Sequence, residues 1–337
     1  MIALALIVGL ILAGLSYQAL GTYLDARRFP APGRLIEVGA YRLHLHEQGQ
    51  GNPTAVLEAG IAGSSLSWAL VQTEVAKFTR VISYDRAGLG WSQKCAVPRT
   101  VHQMISELRA LLSNTGHPGP HILVGHSFGG LLLRSYAHLH PGEVSGLVLL
   151  DPVSLNSWSH CAESQLKLLK RGASLSRRGA MLARFGIVRV ALAALISGGR
   201  RFPKLVARVS AGQGIKVLEG LAGEVQKLPP EVWPMIRAHW SRPKCFLAMA
   251  EYLSCLPESA RAALPMSLPE QLPLIILSAS SATPEELKER DSWIDQSAFA
   301  RHIRLDQCGH WIQLERPDVV VQAVRELVDL ARKRSTS

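Results

Sequence analysis

Cysteine is scarce in this sequence and shows no pairing pattern. Five occur in 337 residues, Cys95, Cys161, Cys245, Cys255 and Cys308. There is no C-x-x-C pair, and the total is odd. That excludes the even, dense disulfide framework of small secreted scaffolds and leaves free thiols as the expectation, with Cys245 and Cys255 as the nearest pair for a single bridge. No run of five or more Lys and Arg occurs either, although the formal net charge is +11. Zinc-ligand spacing and RNA-binding signatures are also missing, so the basic balance does not point to nucleic acid. A membrane surface is the expected partner instead. No metal or cofactor motif is present, and no cofactor is expected. There are no internal repeats and no low-complexity tract.

Charge is absent from Met1 to Leu24, where MIALALIVGLILAGL leads into YQALGTYL. About 20 apolar residues suffice to cross a bilayer as a helix, and Tyr17 and Tyr23 suit its interface. A cleaved signal peptide needs a basic leading region. No Lys or Arg precedes the run, so residues 1–24 read as a retained transmembrane anchor. Arg27, Arg28 and Arg34 follow directly and place the remainder on the cytoplasmic side. Residues 25–34, DARRFPAPGR, read as a linker, since Pro30, Pro32 and Gly33 oppose regular structure. Such a linker implies that the fold does not need the anchor.

Hydrophobic content is 47%, enough for one large domain with a sizeable core. LIEV and YRLHLHEQG suggest a hairpin around Gly39-Ala40. AVLEAG (55–60), RVISYD (80–85), HILVGH (121–126), SGLVLLD (145–151), LPLIILSA (272–279) and RHIRLD (301–306) follow. Several are continuous apolar runs, as in strands buried on both faces under helices. Residues 100–115 carry apolar positions at helical spacing, and Thr100 with Gln103 makes a capping-box start. The closing segment DVVVQAVRELVDLARKR is amphipathic. Strand–helix alternation of this length predicts an α/β doubly wound sheet. The stretch 153–270 breaks the rhythm and reads as a helical cap insert. It divides a core made of 35–152 and 271–337.

Gly125-His126-Ser127-Phe128-Gly129 is G-x-S-x-G between an apolar strand and a helical segment, the context a nucleophile elbow requires. A sharp turn exposes the serine hydroxyl, and the helix N-terminus behind it favours developing negative charge. A serine hydroxyl needs a base to become a nucleophile.

On this motif the chain resembles the α/β-hydrolase family, in its group with an inserted cap, over about residues 35–330. YDRAGLGWS (84–92) is similar to the family's D-x-R-G-x-G-x-S stretch, with Ala87 in place of a glycine. LEAGIAGSSLSW (57–68) resembles the oxyanion loop, with Glu58-Ala59 where many members start His-Gly. CGHWIQLERP (308–317) resembles the histidine loop. The resemblance implies a mostly parallel sheet flanked by helices, Ser127 as nucleophile, His310 as base, and the backbone amides of Ile61 and Phe128 as the oxyanion hole. It also implies hydrolysis of a small-molecule acyl substrate, an ester, thioester or relative, with peptidase or carbon–carbon hydrolase chemistry and a non-catalytic binding role as alternatives. The acid is open. Members commonly carry it after the seventh strand, where this chain has SASSATPEE. Asp151 closes the sixth strand and keeps the order Ser–Asp–His. Asp291, Asp295 and Glu285 are the other candidates. Asp85 and Arg86 read as loop braces. Within the cap, RRGAMLARFGIVRVALAALISGGRR (177–201) suits a cap helix over the site or a lid lying on an anionic surface.

Overall fold

The computed structural model describes residues 1–196 and 227–336. Its centre is one eight-stranded sheet. The strands are β1 (Arg34–Glu37), β2 (Arg42–Gln48), β3 (Ala55–Glu58), β4 (Val81–Asp85), β5 (His121–His126), β6 (Val144–Leu150), β7 (Leu274–Ser278) and β8 (Ala300–Arg304). Their spatial order is β1-β2-β4-β3-β5-β6-β7-β8. β1 and β2 form the expected hairpin, and β2 pairs antiparallel with β4. All the other pairs are parallel.

Side chains alternate across the sheet and so build two cores. Val56, Ile82, Leu123, Leu147 and Ile276 face one side. There they meet α3 (Val101–Ser113) and α4 (Phe128–Leu139). Leu57, Val81, Val124, Val148 and Leu277 face the other, against α2 (Ala69–Val75) and the last helix (Pro317–Thr336). Burial on both faces explains the near-continuous apolar runs of β3 to β7. α3 starts as expected: the Thr100 side chain accepts from the Gln103 amide. Gln103 does not return the bond, and its amide nitrogen goes to Glu107 instead.

Between β6 and β7 the described residues form helices and no strand. They are α5 (Leu155–Ser159), α6 (Glu163–Arg184), α7 (Ile187–Ile196), α8 (Trp233–Trp240) and α9 (Pro243–Ala263). The portion 197–226 of the expected cap, which includes the end of the 177–201 segment, lies outside the described residues. α10 (Pro284–Ile294) joins β7 to β8, and a short helix, α11 (Ile312–Glu315), precedes the closing α12 (Pro317–Thr336). All five cysteines are free, Cys245 and Cys255 included.

The N-terminal segment corrects one expectation. α1 runs from Ile2 to Arg28, so the stretch read as a linker from residue 25 is helical for its first four positions. The helix continues because its far half is packed against the insert. Gln18 and Asp25 are buried. The Gln18 amide donates to the Ser241 carbonyl at the end of α8. The Arg189 guanidinium of α7 reaches Asp25 at 2.5 Å. Residues 1–24 take part in this packing, since Arg189 also reaches Thr22 and Gln18.

Candidate active site

β5 ends at His126, and the chain turns at Ser127 with φ 54° and ψ −117°. An L-residue rarely adopts such a backbone, and it costs about 1–3 kcal/mol. The turn is held by the Ser127 amide donating to the Leu150 carbonyl and by the Gly130 amide donating to the Ser127 carbonyl, each at 2.9 Å. The two glycines of the motif are steric necessities. A Cβ on Gly125 would lie 2.7 Å from the Gly129 carbonyl oxygen, and one on Gly129 would lie 2.5 Å from that of Glu58.

Asp151 follows β6 immediately and is also left-handed, with φ 40°. Its amide donates to the Leu277 carbonyl, which places its carboxylate above the end of β7. One oxygen, Oδ2, lies 2.6 Å from His310 Nδ1. The other, Oδ1, accepts from Arg290 Nη1 at 2.8 Å and from the Ala279 amide at 3.2 Å. Burial pushes this carboxyl up, but the His310 bond and the Arg290 charge outweigh burial and hold it below the ordinary carboxylate range. An ionised carboxylate only accepts hydrogen bonds, so His310 Nδ1 is the donor in this contact.

His310 sits in the loop between β8 and α11, where β8 and the Gly309 turn deliver it. The Gly309 amide donates to Glu315. Its backbone is fixed from beneath by His126. His126 Nε2 lies 2.8 Å from the His310 carbonyl, and the two rings are 4.7 Å apart. Burial, with His310 beside it, pushes the His126 imidazole down to about 3. It is therefore a neutral strut that joins the serine's neighbour to His310. Ser127 Oγ makes no hydrogen bond within the described residues. Catalytic hydrogen bonds are often long before substrate is bound.

The loop after β3 completes the cluster. A Cβ on Gly60 would come 3.5 Å from Ser127 Cβ, so this loop passes directly over the serine. Arg86, buried, donates to the Ala59 carbonyl at 2.8 Å and to the Gly60 carbonyl. In a trans peptide the N–H points opposite the C=O, so pinning the Gly60 carbonyl to Arg86 turns the Ile61 amide the other way. Arg86 is itself paired with Glu58 at 2.6 Å, both fully buried. Burial pushes the Glu58 carboxyl up to about 7 against the pull of Arg86. Phe128 opens α4, and its amide is one of that helix's unpaired first donors. Asp85 is a hub as expected, accepting from the Ser65 and Trp91 amides and from His44.

The remaining sequence candidates stand elsewhere. Asp291 pairs with His302 and Arg304 at the outer end of β8. Asp295 and Glu285 are exposed. Sequence reasoning missed α10's Glu289-Arg290. Both are buried. Arg290 clamps Asp151 and the Pro152 carbonyl, while Glu289 accepts from the Ser154 hydroxyl and the Leu155 amide. PEELKERD reads as a solvated charged helix, and nothing in its pattern marks two inward positions. Among the described residues no three or more His, Cys, Asp or Glu side chains converge as a metal site.

Known proteins share the family and the fold. The model of a family described as "Alpha/beta hydrolase family" matches residues 55–323. The lipase LipV of Mycobacterium tuberculosis is 36% identical over 111 residues, 33% of this chain and 41% of that protein. A 2-hydroxy-6-oxo-2,4-heptadienoate hydrolase of Pseudomonas putida is 30% identical over 130 residues, 37% of this chain and 46% of that one. The chain spans less than half the length of the curated relatives it matches. A thermophilic esterase from Thermogutta terrifontis has a similar fold, with a TM-score of 0.63 and 21% identity over 88% of this chain and 98% of that chain.

Proposed function

The chain belongs to the alpha/beta hydrolase family, and on that premise we propose that it is a serine hydrolase cleaving an ester, thioester or related acyl substrate through an acyl-enzyme at Ser127. The observation that carries the reading is the Asp151 carboxylate on His310 Nδ1 at 2.6 Å, next to a strained serine turn. In this reading Ser127 Oγ attacks the substrate carbonyl carbon as His310 Nε2 takes its proton. The oxyanion that forms is held by the amides of Ile61 and Phe128. Collapse breaks the acyl–heteroatom bond, and His310 gives its proton to the departing alcohol or thiol. Water then repeats the sequence and frees the acid. Asp151 keeps the imidazole in the right tautomer and supports the imidazolium.

α1, uncharged up to Leu24 and long and apolar enough to cross a bilayer, holds the protein in a membrane. The arginines after it put the catalytic domain on the cytoplasmic side. Protease accessibility in sealed, oriented vesicles tests that topology, and digestion only from the opposite face would overturn it. The chemistry is tested with a fluorophosphonate probe. Labelling of the wild type that is lost in Ser127→Ala is the expected result. A folded wild type that takes no label would favour a binding role, and activity on carbon–carbon substrates alone would redirect the reaction class.

A further inference from the structure

α1 does not stand clear of the insert, and where the two touch has a consequence for the membrane. A Cβ on Gly14 would lie 2.9 Å from the Phe185 carbonyl oxygen, one on Gly186 would lie 2.5 Å from the Tyr17 ring, and one on Gly21 would lie 2.7 Å from the Arg189 side chain. The turn between α6 and α7 therefore meets α1 at Gly14, and α7 then runs beside α1 toward Asp25. At 1.5 Å per residue, the twelve residues from Ile2 to Ala13 are only about 18 Å long. The hydrocarbon layer is about 30 Å thick. Residues 2–13 alone are thus shorter than that layer, and the apolar stretch that runs to Leu24 includes the point where the insert touches the helix. If α1 crosses fully, Phe185 lies at or below the headgroups. If only the free stub inserts, the Phe185 turn rests on the surface. Both geometries bring this turn to the bilayer.

The chemistry of α7 fits that position. Ile187–Ile196, IVRVALAALI, holds a single charge. That charge, Arg189, is turned onto α1, where it bonds Asp25 at 2.5 Å and Gln18 at 3.2 Å. A charge near lipid is tolerated when it is paired inward. The outward face is built on Val190, 41% exposed. Its helical neighbours at three and four residues are Gly186, Ile187, Ala193 and Ala194, with no charge among them.

We propose that the α6–α7 turn and α7 form a second membrane-contact surface, seated in the interfacial layer beside α1 through apolar side chains. The proposal rests on the membrane reading of α1 and is independent of the reaction. Its occupant is a bilayer, and because the one arginine of α7 is paired with Asp25, the seating at Val190 is apolar, with the exposed Arg184 that ends α6 at the headgroup level.

The full chain tests it, with Cys95, Cys161 and Cys255 changed to Ser and an environment-sensitive nitrobenzoxadiazole dye placed by Leu6→Cys, Val190→Cys or Gln322→Cys. Leu6 is 64% exposed on the free half of α1, and Gln322 is exposed on α12, across the sheet. Each is reconstituted into neutral phosphatidylcholine vesicles with or without doxyl-labelled lipid. The expected result is a blue shift and quenching at Leu6 and Val190, and neither at Gln322. Quenching at Leu6 without Val190 would overturn the second contact and leave the anchor standing. No quenching at either would overturn the anchor and the inference together. Quenching at Val190 only in anionic vesicles, and released by high salt, would overturn apolar seating.

Discussion

Two buried arginine–aspartate pairs hold this molecule at different places, and they differ in what the second carboxylate oxygen faces. In Arg290–Asp151 at 2.8 Å, the side chains are 3% and 8% exposed, and the free oxygen meets His310. In Arg189–Asp25 at 2.5 Å, both are 10% exposed, and the rest of the cluster is Gln18 and Thr22. The first pair leaves one acceptor for the His310 imidazole, which in the proposed reaction takes and returns a proton. The second satisfies a charge and joins two helices. A buried ion pair alone therefore says little about function. The backbone adds the distinction, because Asp151 is held at positive φ beside a serine held the same way, and α1 has no such strain.

The largest expected effect sharpens the first half of that comparison. Ser127→Ala should lower turnover by a factor of about 10⁶, the size seen when a triad nucleophile is removed in subtilisin, with the circular dichroism spectrum unchanged. His310→Ala should come close, since base and nucleophile act as a unit. Asp151→Asn should cost about 10⁴ in turnover, the size of an acid-to-amide change in a serine-protease triad, because the amide can no longer hold the His310 tautomer. Asp25→Asn should leave turnover on a short, soluble ester unchanged. If both aspartate variants lost only stability, the contrast between the pairs would collapse, and Asp291 and Asp295 would have to be tested as the acid.

Arg290→Met and Arg189→Met compare the two clamps themselves. Removing one member of a buried pair costs about 3–5 kcal/mol, read as a shift of the urea midpoint. Arg290→Met should lose activity per folded molecule as well, since Asp151 and the Pro152 loop lose their support. Arg189→Met should lose stability alone when assayed on a soluble substrate. Equal losses of activity in both would mean that the α1 junction reaches the catalytic groups.

Much of this was legible in the sequence. Continuous apolar runs marked the strands, because a sheet covered on both faces leaves that mark. The elbow was legible because Gly125 and Gly129 have no steric alternative. Asp151 was one of several candidates. Its contact with His310 depends on the parallel pairing of β6 with β7, which sets the end of one strand beside the end of the next. Glu289 and Arg290 were invisible, because a charged helix gives no sign of which turn faces inward. The extension of α1 was hidden for a related reason. Its partners, Phe185 and Arg189, lie far along the chain, and local Pro and Gly residues after Arg28 suggested a linker that begins too early.

A third pair, Arg86–Glu58, gives the smallest effect and the one with a pH signature. Asp151 is held low by its partners, whereas burial wins at Glu58 and pushes its carboxyl from the ordinary 4.5 up to about 7. A folded value above the unfolded one means that the protonated form favours folding. That contribution is complete below about 4.5 and is lost as pH rises through about 7. A shift of this size corresponds to roughly 3 kcal/mol. Glu58→Gln stays neutral throughout, so the variant should gain stability relative to wild type between pH 4.5 and 7 and hold that gain above it. Urea midpoints at pH 4.5, 6 and 7.5 measure the difference. An unchanged difference across that window would mean that Arg86 keeps Glu58 ionised in the fold as in the unfolded chain. All three pairs would then be ordinary ion pairs, distinguished only by the groups around them.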